Sequence, residues 1–217
     1  TAITIRHLFS MQSGLNYNLD APSIHKILEA SEQEATTRQV IAALANEPLD
    51  FEPGTRFQYS LSHDVLGAVI EAVSGQQLGS YIEEHITGPL EMKNTGFKLT
   101  PERKANLSGL FEYHMDTRTS TPVPNKNRYA LTKNYESGGA GLISTAEDYI
   151  LFLDALCNEG VSSNGYKLLS MDSINLLRQD QLKGDSKKDF DAWCRYGYSY
   201  ALGVRTLIEK QKSGARS

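Results

Sequence analysis

Cysteine is scarce in this chain: Cys157 and Cys194 stand far apart and form neither a metal-like nor a redox pair. Two cysteines in 217 residues leave the redox compartment open. Five histidines are scattered without metal-ligand spacing, so neither a metal nor a cofactor is expected. Basic charge is not in excess either. A net charge of −4 argues against nucleic acid and against an anionic membrane surface, both of which favour a basic face. No apolar run approaches the length needed to cross a bilayer. Internal repeats, low-complexity tracts and a clear interdomain linker are missing, and the whole of 1–217 reads as a single domain. The chain opens on Thr1 with no signal-like segment, and is expected to be a piece excised from something longer. What is present is 40% hydrophobic and 22% charged residues, the composition of a globular protein able to bury a sizeable core.

The stretch that organises the rest runs from Phe51 to Gly75. Pro53-Gly54 sets a turn, Phe57 and Tyr59 lead into a helix, and Ser60 or Ser62 is expected to cap it. Val65, Leu66, Val69, Ile70 and Val73 share one face at helical spacing, with Gly75 as the stop. Upstream, Thr4 is expected to cap a short helix with Ile5, Leu8 and Phe9 facing inward, stopped by Ser13-Gly14. Residues 16–35 read as loop with a short helical piece, and Thr36–Gln39 as a capping box for a helix reaching about Asn46. Downstream, Leu78–Thr87 reads as a helix ended by Gly88-Pro89. Alternation over residues 110–123 predicts a β-hairpin, with Pro122 on an exposed edge. Residues 124–137 read as loop. Ser144–Glu147 reads as a second capping box, Ser170 opens a further helix, and 196–207 reads as a strand.

Three segments together resemble the serine β-lactamase and penicillin-binding-protein family, nearest its class C and esterase branch. They are Ile3–Leu15, ending Met11-Gln-Ser-Gly-Leu; Pro53-Gly54 followed by Tyr59-Ser60 and Asp64-Val-Leu-Gly67; and Ser137-Gly-Gly-Ala-Gly-Leu-Ile-Ser-Thr-Ala-Glu-Asp148. The position of Met11 is often His in that family, and a packing role is expected for it here. The resemblance implies a mainly α fold with a little β (α+β): the helical region of a larger domain, of which 1–217 is an internal portion. It implies acyl transfer through a Ser-x-x-Lys pair, a proton-shuttling tyrosine and a late Lys-Thr-Gly or His-x-Gly strand. A hydroxyl is a weak nucleophile until a neighbouring base takes its proton, and N–H donors must meet the oxyanion.

Tyr59 matches the family's tyrosine and is the candidate catalytic residue; the plain alternative is an aromatic anchor for the helix. Leu61 stands where the Tyr-x-Asn form of the motif has Asn, which points away from a penicillinase and toward ester or amide hydrolysis. Ser23-Ile24-His25-Lys26 has Ser-x-x-Lys spacing, yet lies after the Ile-Arg-His-Leu segment that the family's nucleophile precedes. It reads as a surface turn or helix start. Lys212-Ser213-Gly214 resembles Lys-Thr-Gly but sits in a polar tail, and reads as a hairpin turn. Ser60, Ser62, His63 and Asp64 contain all three triad residue types, but adjacency does not build a triad. Gly138–Gly141 reads as a tight turn, lacking the Lys-Ser/Thr of a phosphate loop. The resemblance implies a small-molecule or peptidoglycan-like substrate and, by the family's habit, a periplasmic or extracellular setting. The isolated chain is expected to be inactive, and a bare strand edge near 196–207 could pair with another copy. Two readings compete with this: a non-catalytic binding or helper module, and a compact hydrolase using Ser23 and Lys212.

Overall fold

The computed structural model describes residues 1–124, 129–194 and 197–214. Helices dominate, with two short antiparallel hairpins, so the α+β expectation holds. In order come α1 (Ile5–Phe9), α2 (Pro22–Ala30), α3 (Thr37–Ala43) running into a 3-10 turn at Leu44–Asn46, and α4 (Ser62–Ser74). Next are α5 (Leu78–Ile82), finishing as a π turn at Glu83–Thr87, and α6 (Pro101–Ala105). The hairpin β1 (Leu110–His114) and β2 (Thr119–Val123) pairs Leu110 with Val123 and His114 with Thr119, as the alternation predicted. Then follow α7 (Ala146–Cys157), α8 (Met171–Arg178), α9 (Gly184–Trp193), β3 (Tyr198–Tyr200), β4 (Arg205–Leu207) and α10 (Lys210–Ser213).

Several predicted caps are present. Thr4 accepts from the His7 N–H, Thr36 and Gln39 form a reciprocal box, and Ser170 accepts from the Ser173 N–H. The box expected at Ser144 is displaced by one residue. Thr145 caps α7 by accepting from Asp148 N–H, because the Ser144 hydroxyl is engaged with Thr95 Oγ1 at 2.8 Å. The π turn gives Gly88 N–H a bond to Glu83 O, and Gly88-Pro89 ends the element as expected.

Four expectations fail, each for a physical reason. In α1 only Leu8 is buried, while Ile5 and Phe9 are 49% and 37% exposed. A helix of five residues is too short to turn three side chains inward, and it stops at Ser10, before Ser13-Gly14. The buried side of α4 runs through Asp64, Gly67, Ala68 and Glu71 beside Leu66, whereas Val73 is exposed. Small residues there admit Leu78 and the Gly138 backbone, which a bulkier side would exclude. The strand expected over 196–207 is a hairpin: Tyr198 pairs with Leu207 and Tyr200 with Arg205, turning at Gly203 with φ +80°. Residues 195 and 196 lie outside the described residues. Finally, Lys212-Ser213-Gly214 is no hairpin turn but the end of α10, where Lys212 pairs with Glu209 at 2.6 Å.

Three apolar clusters hold these elements. Ile24, Val40, Leu44 and Leu61 centre one between α2, α3 and the entry to α4. Met11, Phe57, Leu182, Phe190 and Tyr200 form the second, so Met11 has the packing role expected of it. Leu90, Met92 and Ala155 centre the third under α7.

Candidate active site

The segment Phe57–Leu61 reaches α4 by lying along residues 11–16. Gln58 N–H donates to Met11 O at 3.0 Å and Leu61 N–H to Asn16 O at 3.1 Å. Phe57 and Leu61 point into two different cores, 6% and 2% exposed. Tyr59 lies between them and is 42% exposed, so this segment does not follow the alternation of a regular strand. Its ring lies nearly parallel to two others: Tyr17 at 5.8 Å and 6°, Trp193 at 5.5 Å and 17°. Among the described residues no lysine or arginine is bonded to the Tyr59 hydroxyl. The ring is thus held between two others while part of its surface remains open.

The neighbouring serines are structural. Ser62 Oγ lies 2.8 Å from Ser13 Oγ and 2.7 Å from Ser60 Oγ, and Ser60 also takes the Ser62 N–H at 3.3 Å. All three are buried. Leu61 holds the cap position without a side-chain bond, and it is Ser60, one residue before it, that takes the first N–H of α4 as expected of Ser60 or Ser62. The hydroxyls also join the Ser13-Gly14 turn to the Tyr59 segment. No triad forms here. His63 Nε2 lies 3.5 Å from Phe9 O, and burial pushes its pKa below the ordinary value, opposed by that carbonyl and by Asp64.

Asp64, completely buried, reaches the glycine turn instead. Its Oδ1 accepts from Tyr135 Oη at 2.9 Å and Ser137 Oγ at 2.5 Å, while Oδ2 has no partner among the described residues. Burial first, and then the charge of Asp64, push the Tyr135 phenol far above its ordinary range. These bonds pin the turn 137–141, closed by Gly141 N–H to Ser137 O, against α4. A Cβ on Gly138 would sit 2.5 Å from His63 O, so only glycine allows this approach. A Cβ on Gly139 would lie 2.7 Å from Asp64 Oδ2 and 3.7 Å from Tyr17 Oη. The turn thus lies near the hydroxyl of Tyr17, whose ring flanks Tyr59.

The remaining candidates lie apart from this arrangement. Ser23 is in the first turn of α2, its N–H donating to Glu47 at 2.8 Å; its hydroxyl does not bond Lys26. Lys212 is engaged with Glu209 in α10. A cavity of about 490 Å³ opens between the π turn and residues 91–103, and Tyr59 does not line it. Arg103 at its wall donates to the carbonyls of Lys93, Thr95 and Lys98, which leaves it a structural role. Tyr17, Trp193 and Asp64 were not singled out from sequence as supports of Tyr59. An aromatic a few residues past Ser13-Gly14 belongs to no motif, and Asp64 was read only as part of Asp-Val-Leu-Gly and of an adjacency that builds no triad. Among the described residues no cluster of histidine, cysteine or acidic side chains could hold a metal.

Residues 1–214 match the Beta-lactamase family. Esterase EstB from Burkholderia gladioli is 34% identical over 71% of this chain and 44% of its own length. Protein Rv1367c from Mycobacterium tuberculosis is 29% identical over 97% of this chain and 53% of its own. The structure of EstCE1, a hydrolase with promiscuous acyltransferase activity, superposes with TM-score 0.77 at 26% identity, over 99% of this chain and 59% of that one. The chain thus spans about half the length of the curated relatives it matches.

Proposed function

The chain belongs to the Beta-lactamase family of serine-hydrolase-type proteins, and on that premise we propose that it is the tyrosine-bearing part of an esterase-like hydrolase. In this reading a serine hydroxyl attacks an ester or amide carbonyl. Its proton passes through Tyr59 Oη to the departing oxygen or nitrogen, leaving an acyl-serine. Water then adds to the acyl carbon, Tyr59 relays the proton back, and the serine and free acid are released. A free phenol titrates near 10, so Tyr59 needs a neighbouring cation to act as a base. The serine and that cation would come from the remainder of a polypeptide of the relatives' length, and the isolated chain would be inert.

The observation that carries this reading is the setting of Tyr59: an exposed phenol on a segment fixed by two backbone bonds and two cores. Leu61 favours ester over β-lactam substrates, because it is packed in the first cluster and presents no amide to the site. The likeness to an esterase at 34% identity points the same way. A binding or helper module is the second reading, favoured by the burial of Ser13, Ser60 and Ser62 in mutual hydrogen bonds, which leaves none of them as a nucleophile.

The deciding experiment is intact mass after exposure to a fluorophosphonate, for this chain and for its longer parent protein. The proposal expects no adduct on the chain, one adduct per parent molecule, and loss of ester turnover in a Tyr59→Phe parent. An unlabelled parent establishes the helper module instead. A stoichiometric adduct on Ser23 of the chain establishes the compact hydrolase.

A further inference from the structure

The cavity of about 490 Å³ is large enough for a small organic ligand. Part of its wall is the π turn Glu83–Thr87, a helix distortion found frequently at functional sites. Glu136 and Leu142, at the two feet of the glycine turn 137–141, also line it. Its lining includes the acids Glu83, Glu91 and Glu136 and the amines of Lys93 and Lys98, and none of the five is in an ion pair among the described residues. Glu136 is the best fixed of them. Its Oε2 accepts the Gly79 N–H at 2.6 Å, and its own N–H donates to Thr37 Oγ1 at 2.8 Å. Its Oε1 has no hydrogen-bond partner among the described residues. A Cβ on Gly79 would fall 2.7 Å from that oxygen, so the missing side chain leaves the carboxylate its place at the cavity. Phe97 and Leu142 supply apolar surface beside these charges.

We propose that this cavity binds a small zwitterion with an apolar side chain, a free dipeptide, with its ammonium on Glu136 and its carboxylate on Lys93 and Lys98. An ammonium is a donor only, which matches a fixed carboxylate oxygen that lacks a donor. A carboxylate accepts from lysine amines, which reach it on flexible stems. Charge-assisted bonds of this kind are roughly twice as strong as neutral ones. A ligand with a single charge leaves one of the two sets in water and forgoes that gain. Glu136 enters from the glycine turn and the lysines from residues 93–98, so the ligand's charges must stand apart. A dipeptide separates its ends further than a single amino acid does. The bound ligand would rest on both feet of the turn that Asp64 holds through Ser137. Binding here needs no nucleophile and does not rest on the hydrolase reading.

In the test, L-alanyl-L-phenylalanine is titrated into the isotope-labelled chain at neutral pH and followed by amide NMR. Beside it run the N-acetyl form, which lacks the ammonium, and the C-terminal amide, which lacks the carboxylate. The expected result is saturable shifts at Gly79, Gly96 and Leu142, which line the cavity, with each capped form roughly five- to tenfold weaker. Glu136→Gln keeps an acceptor for the Gly79 N–H, so its fold should hold. It should bind the free and N-acetyl peptides alike while still preferring the free peptide to the amide. A chain with both Lys93→Gln and Lys98→Gln, changed at two exposed positions, should show the opposite pattern. A variant that weakens all three peptides together overturns the assignment of the two ends. Equal binding of the three peptides by the unmodified chain, shifts without saturation, or shifts centred on Tyr59 and Tyr17 overturn the site. A longer parent protein that no longer binds the peptide also overturns it, since the rest of the polypeptide would then fill the cavity.

Discussion

Asp64 offers the sharpest test of how the site is held. Its Oδ1 accepts two buried hydroxyls, Tyr135 at 2.9 Å and Ser137 at 2.5 Å. Hydrogen bonds to a charged group contribute about 1.5–3 kcal/mol each, and a buried hydroxyl left unpaired costs about 1–3 kcal/mol. Asp64→Ala strands both, and should lower unfolding stability by about 3–5 kcal/mol. Asp64→Asn keeps the shape and one acceptor oxygen, but it weakens both bonds and points an NH2 where Oδ2 now meets no partner. A loss of about 2–4 kcal/mol is expected for it. Urea melts of Asp64→Asn, Ser137→Ala and the double variant form a cycle whose coupling should be about 1–2 kcal/mol. The consequence for the site travels outward: releasing the glycine turn frees a segment that lies near the hydroxyl of Tyr17, whose ring flanks Tyr59. Trp193 emission should therefore change along with stability. A folded Asp64→Ala chain within about 0.5 kcal/mol of the unmodified one, or a cycle with no coupling, would refute this account of the turn.

Phe190→Ala empties the second core at a fully buried position and should cost about 3–5 kcal/mol in chemical denaturation, with loss of the Trp193 environment in fluorescence. Gly138→Ala drives a methyl to 2.5 Å from the His63 carbonyl, backbone against backbone, and should cost about 1–3 kcal/mol by the same assay. The Arg56 guanidinium holds the Asp189 carboxyl below its ordinary range. Its contribution is therefore complete above the unfolded carboxylate value of about 3.9 and disappears as pH falls through the lower folded value. The gap in urea midpoint between the unmodified chain and Arg56→Ala should be constant from about pH 7 to 5 and narrow as pH falls below about 3.9. Leu61→Asn restores the amide of the Tyr-x-Asn motif at a position only 2% exposed. It should cost about 2–4 kcal/mol, without producing β-lactam turnover in the longer parent, as nitrocefin hydrolysis would show.

Why some of this was legible in sequence and some was not follows from how far each signal reaches. The caps at Thr4, Thr36 and Ser170 are decided within three residues, where a hydroxyl meets an N–H, and they were readable. The hairpin over 110–123 was readable because alternation and its turn are local. The buried side of α4 was not. Valines at helical spacing marked one side, yet the chain buried Gly67 and Ala68, because a distant glycine turn comes in against them. The same holds at the site. Tyr59 could be found, since its motif is continuous along the chain. Tyr17 and Trp193, which flank it, come from far before and far after it in sequence, brought there by the residue 11–16 segment and by α9. Position along the chain thus names the candidate group, while packing between distant segments chooses what surrounds it. Relatives sharing the Tyr59 motif are therefore expected to differ most in the residues at positions 17 and 193.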